Sequence, residues 1–173
     1  GSVRKIDEID HPVVSYGLSS HGYDVRLSPN DFRIYDVSRG GVVDPKHFEG
    51  ESLRPLPLIT YKADAYFVLP PQTYALGVTL ERISMPYDLS AIAIGKSTYA
   101  RCGLIMNCTP IQAGWCGHIT LEMLNSSNSP LKVFANEGIV QLLFFKGDRC
   151  AASYADRAGK YQDQGHEVTV PRM

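Results

Sequence analysis

The segment His118–Asn125, HITLEMLN, places Ile119, Leu121 and Met123 at every second position, with His118, Thr120, Glu122 and Leu124 between them. A period of two sends these sets to opposite faces of an extended strand and is incompatible with a helical stripe. The same logic runs through the whole chain. Apolar residues alternate or form short runs, broken by turn residues about every 8 to 12 positions, and helical periodicity is almost absent. This predicts a mainly β protein with few short helices. The expected strands are Tyr23–Leu27, Phe32–Asp36, Ala65–Leu69, Tyr74–Leu80, Leu89–Ile94, Leu104–Asn107, His118–Asn125, Leu131–Phe134 and Ile139–Phe145. Pro70-Pro71, Met85-Pro86, Ser129-Pro130 and Asn136-Glu137-Gly138 punctuate them. Gly40–Pro57 reads as a long irregular excursion. Residues 146–173 are polar, with little apolar content to bury, and read as an ordered arm or a mobile flap.

Residues 1–173 suit a single domain. Gly1-Ser2 reads as a tag-cleavage scar, and no signal-peptide pattern is visible. A hydrophobic content of 44% with 20% charged residues fits a soluble globular protein. The formal net charge of -1 gives no basic footprint for nucleic acid. No run of about 18 apolar residues is present to span a membrane. Cys102, Cys108, Cys116 and Cys150 form no C-x-x-C pair and have no histidine at finger-like spacing, so zinc is not expected. Free thiols in a reducing cytoplasm are the expected state.

Two groups of polar residues interrupt the apolar pattern. Glu122 is a carboxylate in mid-strand. It is either a solvated or ion-paired strand residue or a general base in a partly buried cleft, and spacing does not separate the two. The loop Gly95–Gly103, GKSTYARCG, offers an ammonium, two hydroxyls and a guanidinium. One helical turn would gather Ser97, Thr98 and Arg101 on one face. That set suits a polyphosphate, or it is a helical turn with exposed charges. It is not a Walker A loop.

The blocks GKSTYARCGLIMNCTP, GWCGHITLEMLN, NEGIVQLLFF and SYADRAGKYQ, with VSYGLSSHGYDVRL and VVDPKHF upstream, resemble the dCTP deaminase family, relatives of trimeric dUTPase. The resemblance runs from about Val14 to Gln164, with the blocks in family order. It implies a distorted β-barrel or jelly roll of the dUTPase-like type. It also implies a homotrimer with active sites between subunits, and zinc-independent hydrolysis of dCTP to dUTP and ammonia. By resemblance Glu122 is the general base, Ser97 positions the water, and Arg101 is the cation near Glu122. Lys96, Ser97 and Thr98 contact phosphates, and Tyr99 and Ala100 fall among the substrate-contacting positions. Thr120 and Leu121 supply the strand backbone that reads the cytosine edge. Gln141 contacts the nucleotide. Tyr154, Lys160 and Gln164 belong to a C-terminal lid that closes over the triphosphate, which carries Mg²⁺.

One departure stands out. Many members carry an acidic residue in the I-D-P-G-W stretch, where this chain has Ile111-Gln112-Ala113-Gly114-Trp115. Neutral Gln112 cannot act as a base for a phosphate-attacking water, which argues against dUTP hydrolysis to dUMP. It also leaves selection between dCTP and CTP open. The alternatives are a bifunctional deaminase–diphosphatase and a nucleotide-binding trimeric module without turnover. Inhibition by dTTP, common in the family, would require the lid and the Cys108-Thr109-Pro110-Ile111 turn to take a second arrangement.

Overall fold

The computed structural model describes residues 2–6, 9–36, 41–107 and 109–173. Gly1 of the expected scar, Gly40 at the head of the irregular excursion, and Cys108 lie outside the described residues.

Fourteen strands dominate the described structure. β1 (Ser2–Ile6) and β2 (Ile9–Val13) form an antiparallel hairpin. β3 (Gly17–Ser19) leads into the long β4 (Gly22–Tyr35). A single 3-10 turn at Gly50–Ser52 precedes β5 (Leu53–Pro55), β6 (Ile59–Tyr61) and β7 (Asp64–Leu69). Then come β8 (Tyr74–Ser84), β9 (Leu89–Gly95) and the one-turn helix α1 (Ser97–Ala100). β10 (Leu104–Met106), β11 (Pro110–Ile111), β12 (Cys116–Asn125), β13 (Leu131–Phe134) and β14 (Gly138–Lys146) complete the order.

The main sheet runs β10-β12-β8-β4-β14-β9-β11, with β3 and β5 also pairing with β4. β4 is its junction: Gly22–Arg26 pair with β14, and Leu27–Ile34 pair with β8. Between Leu27 and Phe32 the register slips, so Ser28-Pro29-Asn30-Asp31 bulge out of the ladder. Pro29 has no N–H to donate there, and a bulge sharpens the local bend. The sheet therefore curls into a half-barrel. Val25, Leu27, Met123, Ile139 and Leu142 pack in one core cluster against it and are fully buried. A second sheet, β13-β7-β6, adds Phe67, Leu69 and Val133, and Phe67 stacks on Phe32 at 4.5 Å between ring centroids. Each such side chain contributes about 1.5–3 kcal/mol by leaving water. At Gly77 a Cβ would lie 2.8 Å from Met123 Cε and 2.9 Å from Leu27 Cδ1, so a side chain there would push these two core residues aside.

The expected strands are present, and β1, β2, β3, β5, β6 and β11 are additional to them; β5 pairs with β4 inside Gly40–Pro57, which the sequence reads as irregular. Tyr23–Leu27 and Phe32–Tyr35 belong to one bulged strand, because both flanks of the turn-like Ser28-Pro29-Asn30-Asp31 pair with β8; Asp36 lies past its end. The C-terminal segment is also less polar in effect than its composition suggests. Val168 is buried and packs with Leu53 and Leu76, joined by Tyr35, Phe48 and Val170. It is an arm packed on the barrel.

Candidate active site

β12 is where the alternation becomes functional. Ile119, Leu121 and Met123 face the core, while His118, Thr120, Glu122 and Leu124 are half-buried on the other face. Glu122 and Thr120 thereby line a cavity of about 350 Å³ together with Tyr35, Tyr74, Gln112, Trp115, Tyr154, Tyr161 and Gln164.

The C-terminal arm makes one wall. Gln164 forms a parallel bridge with Gly117, and its carbonyl accepts the His118 N–H at 3.0 Å. A Cβ on Gly117, whose φ is +144°, would lie 2.7 Å from Gln164 N, so glycine admits the arm to the strand. Thr120 Oγ1 donates to Gln164 Oε1 at 3.2 Å and accepts from Thr169 N–H at 3.1 Å. Trp115 Nε1 donates to Tyr161 O at 2.8 Å, and Tyr161 N–H donates to Tyr154 Oη at 3.0 Å. Of the three expected lid residues, Tyr154 and Gln164 line the cavity. Lys160 lies on the arm with its ammonium 5.8 Å from the Tyr161 ring centroid.

Glu122 is held by Asn107, whose Nδ2 donates to Glu122 Oε2. Asn107 N–H also donates to the Glu122 carbonyl at 2.9 Å. The carboxylate acts on its aromatic neighbours. Burial, and then the negative charge of Glu122, push the Tyr74 hydroxyl up to about 12. Tyr35 is raised by the same two causes. The tyrosines meet edge to face at 5.8 Å between ring centroids. Among the described residues, no three His, Cys, Asp or Glu side chains converge as a metal site. The described lining offers one carboxylate, two glutamine amides, hydroxyls and aromatic rings.

The 95–103 loop is a separate patch. It forms α1, and Arg101 Nη1 donates to Ser97 Oγ at 3.3 Å, so these two share one face as the spacing predicts. Ser97, Thr98, Ala100 and Arg101 are exposed. Lys96 and Tyr99 behave differently from expectation. The Lys96 ammonium turns inward to Asp24, and also donates to Ser15 Oγ at 3.1 Å. The Tyr99 side chain is buried, and its hydroxyl accepts the Phe134 N–H at 2.9 Å. Apolar contact outweighs exposure for this ring, which leaves only the Tyr99 backbone for a ligand.

Gln141 pairs across the sheet with Asp24 and Ile94, placing it near this loop, and its Nε2 donates to Ser19 Oγ at 2.8 Å. The Leu121 side chain is in the core, so it too could meet a ligand only through its backbone. Within one chain, then, Glu122, Thr120, Tyr154 and Gln164 come together, while neither Ser97 nor Arg101 lines their cavity.

Sequence reasoning missed three participants. Asn107 sits just past β10, within GKSTYARCGLIMNCTP, and the sequence carries no sign that it faces Glu122. Asp24, in VSYGLSSHGYDVRL, is a charged residue inside an apolar strand. Tyr74 is one of ten tyrosines and carried no signal.

A family model described as dCTP deaminase-like matches residues 3–147. A protein of Campylobacter fetus named dCTP deaminase is 48% identical over 168 residues, covering 96% of this chain and 86% of its own. One from a Nitratiruptor species, with the same name, is 47% identical with the same coverage. The crystal structure of 2'-deoxycytidine 5'-triphosphate deaminase from Agrobacterium tumefaciens superposes with a TM-score of 0.57 at 19% identity. That match covers 76% of this chain and 39% of that one, and it shows a common fold. With a matching family model over most of its length and near-full-length relatives approaching half identity, the chain belongs to the dCTP deaminase-like family.

Proposed function

We propose that this protein hydrolyses dCTP to dUTP and ammonia, feeding pyrimidine deoxynucleotide synthesis. The observation that carries the reading is a half-buried Glu122 held by an amide on the wall of a cavity lined with aromatic rings. Names of the near-full-length relatives support it. Glu122 accepts a proton from water as the oxygen bonds to C4 of the cytosine. The C4=N3 pair takes up that proton at N3; the C4–N4 bond then breaks as the new C4 hydroxyl becomes the carbonyl and gives its proton, by way of Glu122, to the amino group, which departs as ammonia. Water activation is assigned to Glu122 rather than to zinc, because the described donors are those of a hydrogen-bonding site. Backbone groups of Thr120 and Leu121 read the cytosine edge.

Substrate enters as its magnesium complex, with the ion held by phosphate oxygens. Ser97 and Thr98 supply hydroxyls for those phosphates, Ser97 also positions the attacking water, Arg101 is the cation beside Glu122, and Lys160 adds a charge from the arm. Since these loop residues lie outside the Glu122 cavity of their own chain, the reading places them in the cavity of a neighbouring copy within a homotrimer. Supporting this, the outer face of β9 and β14 exposes Ile92, Ile94 and Phe145. A reducing, cytoplasmic setting suits the free Cys102, Cys116 and Cys150. Inhibition by dTTP would act through the same cavity and arm.

Product analysis tests the reading. The protein is incubated with magnesium and dCTP, CTP or dUTP in turn, and the nucleotides are resolved by ion exchange. Accumulation of dUTP without dUMP is the expected result, since Gln112 in the cavity wall is neutral. Direct release of dUMP and pyrophosphate establishes a bifunctional enzyme. No product from any nucleotide leaves a binding module.

A further inference from the structure

We propose that Asn107 is a positioning residue for Glu122, setting the orientation of the base before substrate arrives. The inference rests on the deaminase reading above. Two bonds join the pair. The backbone bond, Asn107 N–H to the Glu122 carbonyl at 2.9 Å, fixes the residues opposite each other just past the end of β10. The side-chain bond, Asn107 Nδ2 to Glu122 Oε2, then fixes one carboxylate oxygen. Among the described residues this is the hydrogen bond found at the Glu122 carboxylate, and it is made at Oε2.

A glutamate has three rotatable side-chain torsions, and a strand backbone alone does not fix the third. A general base works only within hydrogen-bond reach of the proton it takes. A carboxamide is suited to the task. It donates to the carboxylate without itself titrating, so the contact persists across the working pH range. Its location reinforces the role. Asn107 directly follows β10, and the chain continues from there to Thr109, Pro110, Ile111 and Gln112, all on the cavity wall. The amide therefore ties the base to the wall facing it. Asn107 itself is exposed, so its removal leaves no hole in the core.

The test is steady-state deamination of dCTP by Asn107→Leu, which keeps the volume but lacks the donor, and by Asn107→Ala. Both variants are expected to lose about 10- to 100-fold in kcat. KM is expected to stay within about threefold, because the interaction serves the chemical step rather than ground-state binding. Tm should match the parent. A kcat equal to that of the parent overturns the proposal. So does a loss in which KM and Tm move together with kcat, which marks a structural role. Failure of the unsubstituted protein to turn over dCTP instead rejects the deaminase reading itself.

Discussion

Lys96 and Asp24 form a buried ion pair across a separation of 72 residues, with side chains 12% and 10% exposed. The second carboxylate oxygen, Oδ1, is buried without a partner among the described residues. Lys96 is the N-cap residue of α1, so the pair anchors the turn that presents Ser97 and Arg101. Breaking a buried pair from one side strands a charge. Asp24→Asn is expected to cost about 3–5 kcal/mol in urea unfolding and to lower activity by loosening the loop. A variant within about 1 kcal/mol of the parent would show the pair to be unimportant to the fold.

Tyr99 tests the difference between a core and a substrate role. Its hydroxyl satisfies the buried-side Phe134 N–H, and burial holds its ionisation well above the ordinary phenol range. Tyr99→Phe leaves that N–H without a partner, at a cost of about 1–3 kcal/mol. Stability measured by thermal or urea unfolding should fall by that amount, while KM for dCTP stays unchanged. An altered KM at unchanged stability would return the hydroxyl to the substrate.

What could be seen in the sequence was governed by how local the physics is. The β12 faces follow from a period of two, and the Ser97–Arg101 contact from one helical turn, so both were visible. β4 was divided because Ser28-Pro29-Asn30-Asp31 has the composition of a turn, although both flanks pair with β8. The β1–β2 hairpin had no apolar alternation to mark it, and Pro12 lies within its second strand. The apolar cluster of the arm rests on Val168 and Val170 alone, hidden in a polar stretch, and its partners Leu53 and Leu76 are distant in sequence. Asp24–Lys96 and Asn107–Glu122 are pairings that only the folded sheet creates. The sequence shows the charge of Lys96 but not that it points to Asp24.

Glu122→Gln keeps the shape of the side chain and removes its basicity. Deamination should fall by on the order of 10²–10⁴ or more, the usual contribution of a positioned base. Nucleotide affinity, measured by calorimetry with dCTP and magnesium, should be retained. Near-normal turnover by this variant would falsify the assignment of the base.

Tyr74 makes an alkaline prediction. Burial and the Glu122 charge raise its hydroxyl from the ordinary 10.0 to about 12 in the folded chain. A folded value above the unfolded one gives stability that is fully present below pH 10 and lost as pH rises toward 12. Unfolding midpoints should therefore be insensitive to Tyr74→Phe near neutrality. Above about pH 10 the parent should lose stability faster than the variant. Ultraviolet titration should show one late-ionising phenol fewer in the variant.

The arm should be separable from the barrel by one substitution. Val168 is 7% exposed against Leu53 and Leu76, and its N–H donates to Asp31 Oδ2 at 2.9 Å. Val168→Asp places a second carboxylate in that apolar contact, next to Asp31, whose own charge already engages Arg33 at 2.8 Å. The arm is expected to detach beyond Tyr154, which packs against the core, while the sheet stays folded. Gln164 and Tyr161 would then leave the cavity wall, and trypsin should gain access to Lys160 and Arg157. KM for dCTP should rise by about tenfold, the equivalent of 1.4 kcal/mol of lost binding. Unchanged KM with rapid tryptic removal of the arm would show that the cavity binds its ligand without this wall, and the lid role would pass to another segment.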